Sequence, residues 1–192
     1  MIAYDLIGQT PLVLLESFSD ENVKIYAKLE QFNPGGSIKD RLGKYLIEKA
    51  IDEGRLKEGD TIVEATAGNT GIGLAIASNR HKVKCIIFAP EGFAEEKISI
   101  MKALGADVRR TPKVEGMTGA QQEALAYATR YGYLYMNQFE TKDNPGAYTQ
   151  TLAKQLTDEL SHIDYFVAGV GSGGTFTGVA QHLKTYDVKN YI

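Results

Sequence analysis

Apolar and polar positions change their period along the chain, from the two-residue period of strands to the longer period of helices. Residues 25–29 alternate and predict a strand. From Ile38, the apolar side chains Leu42 and Leu46 follow a helical period until Gly54 marks the end of the helix. The same two periods predict further strands at 61–64, 85–88, 133–135, 165–168 and 188–192, and further helices at 70–79, 94–104, 118–130, 145–160 and about 176–183. Strands that alternate with helices are typical of an α/β fold with largely parallel sheets.

The carboxyl-terminal third adds two details to this expectation. Apolar residues at four-residue spacing from Tyr148 to Leu160 predict one helix over 145–160. The run at 165–168 predicts a buried strand. The last predicted strand, 188–192, ends the chain, although a parallel strand needs both faces covered and a return connection. We therefore expect the 192 residues to be less than a complete architectural unit.

The charge and hydropathy of the chain argue against several classes of partner. The net charge of -3 provides no broad basic surface, so nucleic acid is not expected as a partner. A small basic group at 109–113 lies beside Thr111-Pro112 and is predicted to be a solvated loop. No apolar run approaches membrane-spanning length, and the first residues lack a signal-peptide pattern. The sequence therefore predicts no membrane association.

The cysteine and histidine residues indicate which redox compartment the chain fits and whether it has a metal site. Cys85 is the single cysteine, which excludes an intrachain disulfide and fits a reducing cytosol, so a cytoplasmic location is expected. Its place in an apolar run predicts a buried strand residue. His81, His162 and His182 do not have the spacing of metal ligands, so no metal site is predicted.

The segment 33–41 places Lys39 in the first turn of a helix, directly behind a tight glycine turn. The positive end of the helix dipole favours the neutral amine of such a lysine. A neutral amine condenses with an aldehyde to give a Schiff base. Alternatively, Ser37 and Asp40 form an ordinary capping box and Lys39 faces solvent. Taken alone, the segment favours this alternative, because capping boxes are common and reactive lysines are rare.

A second glycine-containing loop, 66–71, lies between the strand 61–64 and the helix that follows it. A turn of this kind presents unpaired backbone N–H groups at the start of a helix, and these bind an anion such as a carboxylate. Asn69 and Thr70 add polar side chains that would orient it. The alternative is a plain turn in which Thr70 caps the helix.

A third loop, 169–175, again follows a predicted strand and precedes a helix. Four glycines, a serine and a threonine make a backbone nest suited to a phosphate at a helix N-terminus. Gly169, Gly171 and Gly174 also match G-x-G-x-x-G, so a dinucleotide site is an open alternative. The acidic residue that would support it is expected where the chain ends. No lysine follows the glycines, which excludes a Walker phosphate loop.

An aldehyde-reactive lysine, a carboxylate-binding loop and a phosphate-binding loop are together what pyridoxal phosphate requires to act on an amino acid. With these motifs in this order, the chain resembles the cysteine synthase/cystathionine β-synthase family of fold type II pyridoxal-phosphate enzymes. The matching segments are 7–12, 33–41, 64–73, 116–120, 137–139 and 169–175.

The resemblance implies a role for each matching residue. Lys39 would bind the cofactor pyridoxal 5'-phosphate covalently and later remove the α-proton of the substrate. Asn69 would hydrogen-bond the ring hydroxyl oxygen of the cofactor. The cofactor phosphate would be held by Gly171, Ser172, Gly173, Gly174 and Thr175. The substrate carboxylate would be bound by the loop residues Thr66, Ala67, Gly68 and Thr70, and by Gln138.

The implied reaction is β-replacement on O-acetylserine or serine, with sulfide or homocysteine as acceptor. Three alternatives are open. A dehydratase-type β-elimination enzyme shares cofactor and fold, but the Asn69 loop and Gln138 favour the synthase. A non-catalytic dinucleotide-binding module built on 169–174 leaves the Lys39 and Asn69 loops unexplained. The third alternative is that the chain is an inactive truncated fragment of the synthase.

The resemblance also implies an architecture of two three-layer αβα domains of the tryptophan-synthase-β-like type, the larger of them incomplete here. Residues 1–35 would begin the larger domain, 36–138 would form the smaller mobile domain with the asparagine loop, and 139–192 would form the truncated cofactor-binding part of the larger domain. Members of the family are commonly homodimers.

The sequence departs from the family pattern in two loops. Ala67 stands where many members have serine, which bears on the choice of substrate. Residues 151–155 replace a common T-T-G-P-E run, and we expect this change to affect only local helix geometry.

Overall fold

A computed structural model describes residues 1–184 and the backbone of 189–191. Its strands are β1 (Leu12–Leu14), β2 (Tyr26–Lys28), β3 (Thr61–Ala65), β4 (Lys84–Pro90), β5 (Asp107–Thr111), β6 (Leu134–Tyr135), β7 (Tyr165–Val167) and β8 (Lys189–Tyr191). Its α-helices are α1 (Lys39–Asp52), α2 (Asn69–Arg80), α3 (Glu95–Ala103), α4 (Gly116–Tyr131), α5 (Asp143–Tyr148), α6 (Lys154–Glu159) and α7 (Gly174–Leu183).

The central element is a four-stranded parallel sheet in the order β5-β4-β3-β6. Two smaller sheets flank it: β1 and β2 pair antiparallel, and β7 and β8 pair parallel. In the last pair Tyr165 lies opposite Lys189. Val188 and Ile192, the ends of the predicted last strand, lie outside the described residues.

The apolar strands β3 and β4 are buried because helices cover both faces of the sheet. On one face, Val63 and Phe88 pack with Ala120 and Ala124 of α4. On the other face, alternate strand residues such as Ile62 join the main hydrophobic core with residues of α1 and α2. Strands buried on both faces have nearly continuous apolar sequences. The predicted α/β architecture with a parallel sheet is confirmed.

The helices α1 and α2 approach each other unusually closely. A Cβ atom on Gly43 would lie 2.3 Å from the carbonyl carbon of Gly73, and a Cβ on Gly73 would lie 2.4 Å from the carbonyl oxygen of Lys39. Glycine in a helix interior costs about 1 kcal/mol relative to alanine. Its presence at both positions lets the two backbones touch, and this contact fixes the first turn of α1 against α2.

The prediction of one helix over 145–160 is wrong because the helix is not α-helical throughout. Residues 149–153 form a π-helical segment between α5 and α6. The four-residue apolar spacing is wider than the α-helical repeat, and a wider turn keeps Tyr148, Leu152 and Leu156 buried on one side. The hydroxyl of Thr149 donates to the carbonyl oxygen of Gly178 at 2.9 Å, which joins this segment to α7.

The solvated loop predicted at 109–113 is also wrong, because Arg109 and Arg110 belong to strand β5. The strand lies at the edge of the sheet, where long charged side chains are tolerated. The Arg109 guanidinium stacks 4.2 Å from the ring centroid of Tyr127 and pairs with Asp107 at 2.9 Å. Arg110 pairs with Glu95 at 2.8 Å.

Strand β7 is exposed rather than buried. Tyr165 and Val167 are 55% and 72% exposed, whereas Phe166 turns inward against Phe176. Within the described part of the chain, β7 pairs with β8 alone, and the face that carries Tyr165 and Val167 is largely open. The apolar composition of 165–168 therefore predicts the strand correctly but does not predict its exposure.

One expectation drawn from composition, the buried strand cysteine, agrees with the structure. The thiol of Cys85 is free and buried in β4, and burial raises its pKa to about 12. Among the residues that the structure describes, no helix has the length and apolar content needed to span a membrane.

Candidate active site

Lys39 begins helix α1, and its side chain points inward. Its amine donates to the Ser172 Oγ at 3.3 Å and to the Tyr148 hydroxyl at 3.5 Å. Burial lowers the pKa of Lys39, which favours the neutral amine. No acidic residue pairs with this amine in the described part of the chain. The alternative of an outward-facing surface lysine is therefore wrong.

The turn before Lys39 is held by Asp40 rather than by the expected capping box. The Asp40 carboxylate accepts the backbone N–H of Gly35, and the Ser37 hydroxyl accepts the N–H of Lys39 at 3.2 Å. A Cβ on Gly35 would lie 2.4 Å from this carboxylate, so the turn closes tightly over it. Burial raises the pKa of Asp40 to about 6.

Arg41 anchors the first turn of α1 to the amino-terminal segment. Its Nε and Nη2 donate to the two carboxylate oxygens of Glu30, each at 2.8 Å. Nη2 also donates to the carbonyl oxygen of Gly8 and to Thr10 at 3.0 and 3.1 Å. The motif at 7–12 therefore supports the helix that carries Lys39.

The expectation that the departure at 151–155 affects only local helix geometry is wrong. The Gln155 side chain accepts from Arg41 at 2.8 Å and donates to the carbonyl oxygen of Gly8 at 2.9 Å. A glutamine amide both donates and accepts, so it bridges these two groups. Residue 155 thus takes part in the same network that fixes the start of α1.

The loop 66–70 leads from the carboxyl end of β3 into α2, and it contacts Gln138 after β6. The Thr70 hydroxyl donates to the Gln138 side-chain oxygen at 2.6 Å. The Thr66 hydroxyl accepts the N–H of Gly68 at 3.2 Å, and Ala67 is buried beside it. The structure therefore brings together the five residues that the resemblance assigns to the substrate carboxylate.

Asn69 is the first residue of α2 and lies four positions before Gly73. Residues at this spacing share one face of a helix. That face is the one on which Gly73 touches the carbonyl oxygen of Lys39. The close crossing of α1 and α2 therefore puts the Asn69 loop on the same side of the molecule as Lys39.

The loop 169–173 ends at Gly173, whose φ of +82° turns the chain into α7. No side chain caps the N-terminus of α7, so its first N–H groups are available to an anion. Ser172 lies at the tip of this turn and accepts the Lys39 amine. The side chain of Thr175 hydrogen-bonds the phenol of Tyr148, whose pKa burial raises to about 12.

Three loops that are far apart in sequence are thus brought together. Lys39 contacts Ser172, Ser172 accepts from the Asn144 side-chain amide at 3.1 Å, and that amide also donates to the carbonyl oxygen of Gln138 at 2.7 Å. A partly buried amine without an acidic partner lies beside an uncapped helix N-terminus with Ser and Thr hydroxyls. This set of groups fits an aldehyde that carries a phosphate.

Three residues of this site were not predicted from the sequence: Glu64, Asn144 and Tyr148. Glu64 carried a usable signal, because it is an acidic residue inside an apolar strand. It is fully buried, its carboxylate accepts the N–H groups of Ala65 and Gln138 at 2.7 and 3.0 Å, and burial raises its pKa to about 7. The contacts of Asn144 and Tyr148 cross the fold and left no such local signal.

Other features of the structure lie away from this chemistry. A cavity of about 540 Å³ opens at the amino ends of β3, β4 and β5. The 66–70 loop lies at the opposite, carboxyl end of β3. Its lining includes Lys84, Arg109 and Tyr133. A search of the described residues finds no group of His, Cys, Asp or Glu side chains arranged to hold a metal ion.

Comparison with known proteins gives concordant results. Residues 3–191 match the family described as "Pyridoxal-phosphate dependent enzyme". The O-acetylserine dependent cystathionine beta-synthase of Bacillus subtilis is 50% identical over 183 residues, which cover 94% of this chain and 60% of that protein. A cysteine synthase of Helicobacter pylori is 48% identical over 189 residues, with coverages of 94% and 60%. The chain thus spans about 60% of the length of these relatives.

Solved structures share the fold of the chain. The crystal structure of an O-acetylserine dependent cystathionine beta-synthase from Helicobacter pylori superposes with a TM-score of 0.92 at 44% identity. The match covers 99% of this chain and 65% of that one. A hydrogen sulfide-producing enzyme from Fusobacterium nucleatum superposes with a TM-score of 0.90 at 38% identity.

Proposed function

The chain belongs to the family of pyridoxal-phosphate dependent enzymes, and from this membership we propose that it binds pyridoxal 5'-phosphate and catalyses β-replacement on O-acetylserine or serine. Sulfide or homocysteine would be the acceptor, and cysteine or cystathionine the product. The observation that carries the proposal is the contact between the Lys39 amine and Ser172, which joins an aldehyde-reactive group to a phosphate-binding loop. The names of the relatives favour replacement over elimination.

Each loop would bind one part of the reacting system. The loop residues Gly171, Ser172, Gly173, Gly174 and Thr175 would hold the phosphate, with the N-terminus of α7 adding its N–H groups. Lys39 would be the covalent attachment point, and Asn69 would hydrogen-bond the ring hydroxyl oxygen. When bound, the cofactor supplies an electron sink for the substrate α-carbon.

The substrate carboxylate would be bound at the opposite side of the site, by Thr66, Ala67, Gly68, Thr70 and Gln138. In the structure the Thr70 hydroxyl is engaged with Gln138, so these two side chains are preorganised against each other. Ala67 offers no hydroxyl to the substrate. The neutral Lys39 amine would take the α-proton, a role that its lowered pKa favours.

Domain organisation, location and assembly are also proposals. Residues 36–138, which contain the parallel four-stranded sheet, would form the smaller domain and close over the substrate carboxylate, with 1–35 and 139–192 belonging to the larger domain. The free, buried thiol of Cys85 supports a reducing, cytoplasmic location. The exposed side chains of Phe18 and Phe32 support a homodimer, in which a second copy would cover them.

The proposal is tested by titrating the 192-residue chain with pyridoxal phosphate and recording the visible absorption spectrum. Borohydride reduction and peptide mapping should then place a pyridoxyl label on Lys39, and Lys39→Ala should lose the label while keeping its fold. A label on another lysine would contradict the assignment. Lys44, whose amine lies over the ring of Tyr4, provides the matched control Lys44→Ala, which should keep the label.

The reaction is tested by adding O-acetylserine or serine with either sulfide or homocysteine, and by identifying the product by mass spectrometry. Cysteine or cystathionine would support β-replacement and name the acceptor. Pyruvate formed without an acceptor would instead indicate β-elimination. A bound cofactor with no product from any pair would contradict the proposed activity of this chain.

A further inference from the structure

Asn144 connects the two halves of the site through one amide group. Its Nδ2 donates to the carbonyl oxygen of Gln138 at 2.7 Å and to the Ser172 Oγ at 3.1 Å. The residue is 2% exposed, and its bond to Gln138 is buried, whereas its bond to Ser172 is partly buried. Buried hydrogen bonds of this kind are costly to break when the partner is left without a replacement.

These contacts are not those of a local helix cap. Asn144 is the second residue of α5, and the N-cap position, where an asparagine side chain accepts a backbone N–H of its own helix, is taken by Lys142. Here the Oδ1 atom is buried and accepts no hydrogen bond from the described residues. The amide orientation follows from its partner, because the carbonyl oxygen of Gln138 accepts only a donor. The side chain is therefore committed to contacts outside its helix.

The first residue of α7 is shaped to admit this side chain. A Cβ atom on Gly174 would lie 1.8 Å from the Asn144 Oδ1. A residue with a Cβ at position 174 would therefore force the Asn144 side chain to shift. Glycine at this position makes room for the Asn144 contact.

The Gln138 residue is held at three points, and Asn144 is one of them. Its N–H is bound by Glu64, its side-chain oxygen by Thr70 and its carbonyl oxygen by Asn144. The first two contacts lie within the proposed carboxylate-binding side. The third extends to Ser172 and so reaches the proposed phosphate loop.

We propose that Asn144 is a positioning residue that holds the Gln138 peptide and the Ser172 loop as one unit, so that the substrate side and the cofactor side of the site are ordered together. What the two sides bind rests on the proposed function. The ordering itself is a property of the chain without any ligand.

The test uses hydrogen–deuterium exchange of the cofactor-free, 192-residue chain, followed by mass spectrometry. Asn144→Ala and Asn144→Asp should each raise exchange about tenfold in 137–140 and in 177–180, where the N–H groups of α7 begin to bond within the helix, because neither a methyl group nor an ionised carboxylate donates a hydrogen bond. Exchange in β4 should stay at the wild-type rate. Asn79→Ala is the matched control, since Asn79 donates to the carbonyl oxygen of Leu104 outside the site.

Asn144→Asp separates hydrogen bonding from shape, because aspartate has the same size but cannot donate when ionised. Wild-type exchange in Asn144→Ala, which has no donor in any protonation state, would overturn the proposal, as would a uniform rise throughout the chain. Ser172→Ala removes the second acceptor of Asn144, which is also the acceptor of the Lys39 amine, and it serves if the Asn144 variants do not fold. It should raise exchange in 177–180 and leave 137–140 unchanged, whereas no change in 177–180 would overturn the proposal.

A second measurement uses the cofactor. The dissociation constant for pyridoxal phosphate should rise about tenfold in Asn144→Ala and in Ser172→Ala, and by no more than the larger single effect in the double variant. Additive effects would overturn the proposed connection. If the wild-type chain binds no pyridoxal phosphate, the proposed function fails, and the exchange experiment still decides the role of Asn144.

Discussion

Replacing Gly73 by alanine should disturb the site through the backbone rather than through any site side chain. The added Cβ would lie 2.4 Å from the Lys39 carbonyl oxygen and 2.9 Å from its carbonyl carbon, whereas ordinary contact begins at 3.4 Å. Both neighbours are backbone atoms, so no side-chain rotation relieves the overlap. The first turn of α1 must move away from α2 by about 1 Å.

The expected effect on stability is small, because two contributions oppose each other. Alanine is favoured over glycine in a helix by about 1 kcal/mol, whereas overpacking costs about 1–3 kcal/mol. The net loss of zero to about 2 kcal/mol corresponds to a fall in Tm of at most about 8 °C for a chain of this size. The variant should therefore remain folded at room temperature.

The expected effect on the site is much larger. A shift of about 1 Å in the start of α1 lengthens the 3.3 Å contact between the Lys39 amine and Ser172 beyond hydrogen-bonding distance. Displacements of this size reduce the rates of positioned reactions by about 100-fold. We expect the rate of pyridoxyl labelling at Lys39 to fall by about this factor in Gly73→Ala.

The assay compares thermal unfolding by circular dichroism with the labelling rate measured by borohydride trapping. Gly119→Ala is the control, because a Cβ there would lie 2.3 Å from the Glu115 Cβ, a comparable overlap in α4 that does not involve α1. This control should lose a similar amount of stability and keep the wild-type labelling rate. A Gly73→Ala chain that labels at the wild-type rate would refute the reasoning that the α1–α2 contact positions Lys39.

Two further perturbations concern buried charges near the site. Arg41→Ala leaves the Glu30 carboxylate without its charged partner and should lower the free energy of unfolding by about 3–5 kcal/mol. Arg41→Lys should lower it by less, because lysine keeps the charge but not the paired hydrogen bonds. Equal urea midpoints for Arg41→Lys and the wild type would contradict this prediction. Burial raises the pKa of Glu64 from 4.5 to about 7, so the native state keeps a proton that the unfolded state releases, and stability should fall as pH rises through this window. Urea unfolding at pH 5 and pH 8 should show a smaller loss of stability for Glu64→Gln than for the wild type. Asp40 contributes a loss in the same direction to the wild type and to the variant, so it does not affect the comparison. An equal loss in the two proteins would count against Glu64 as the source of the pH dependence.

The elements and loops of this chain were accessible from sequence because their determinants are local. Strand β3, helix α2 and the glycine loops follow from residue periods and turn residues within about ten positions. The structure places Lys39 beside Ser172, and the resemblance of the motifs is what anticipated this meeting. Their roles toward a cofactor stay predictions.

The predictions that are wrong share one physical cause, because each concerns a feature that tertiary contacts determine. Strand β5 was read as a loop because its arginines look solvated, but Tyr127 and Asp107 accommodate Arg109 at a sheet edge. The four-residue apolar spacing around 149–153 fits both an α-helix and a wider turn, and the Thr149 contact with α7 is a tertiary contact that the local sequence does not show. The exposure of β7 depends on which elements cover it, and strand composition does not carry that information.

The same reasoning explains why glycine, rather than the polar residues, controls how the site is assembled. Gly73 admits the Lys39 backbone, Gly174 admits the Asn144 side chain, and a Cβ on Gly178 would lie 2.2 Å from the carbonyl oxygen of Pro145. In the pairs of Gly73 with Lys39 and of Gly178 with Pro145, two backbones approach more closely than a side chain would allow, so backbone contact sets the distance. In the pair of Gly174 with Asn144, the absence of a Cβ makes room for a side chain. Hydrogen bonds such as that from Asn144 to Ser172 then hold the segments that these contacts bring together. Substituting a polar residue removes its own bonds, whereas substituting one of these glycines displaces the segments that the bonds join.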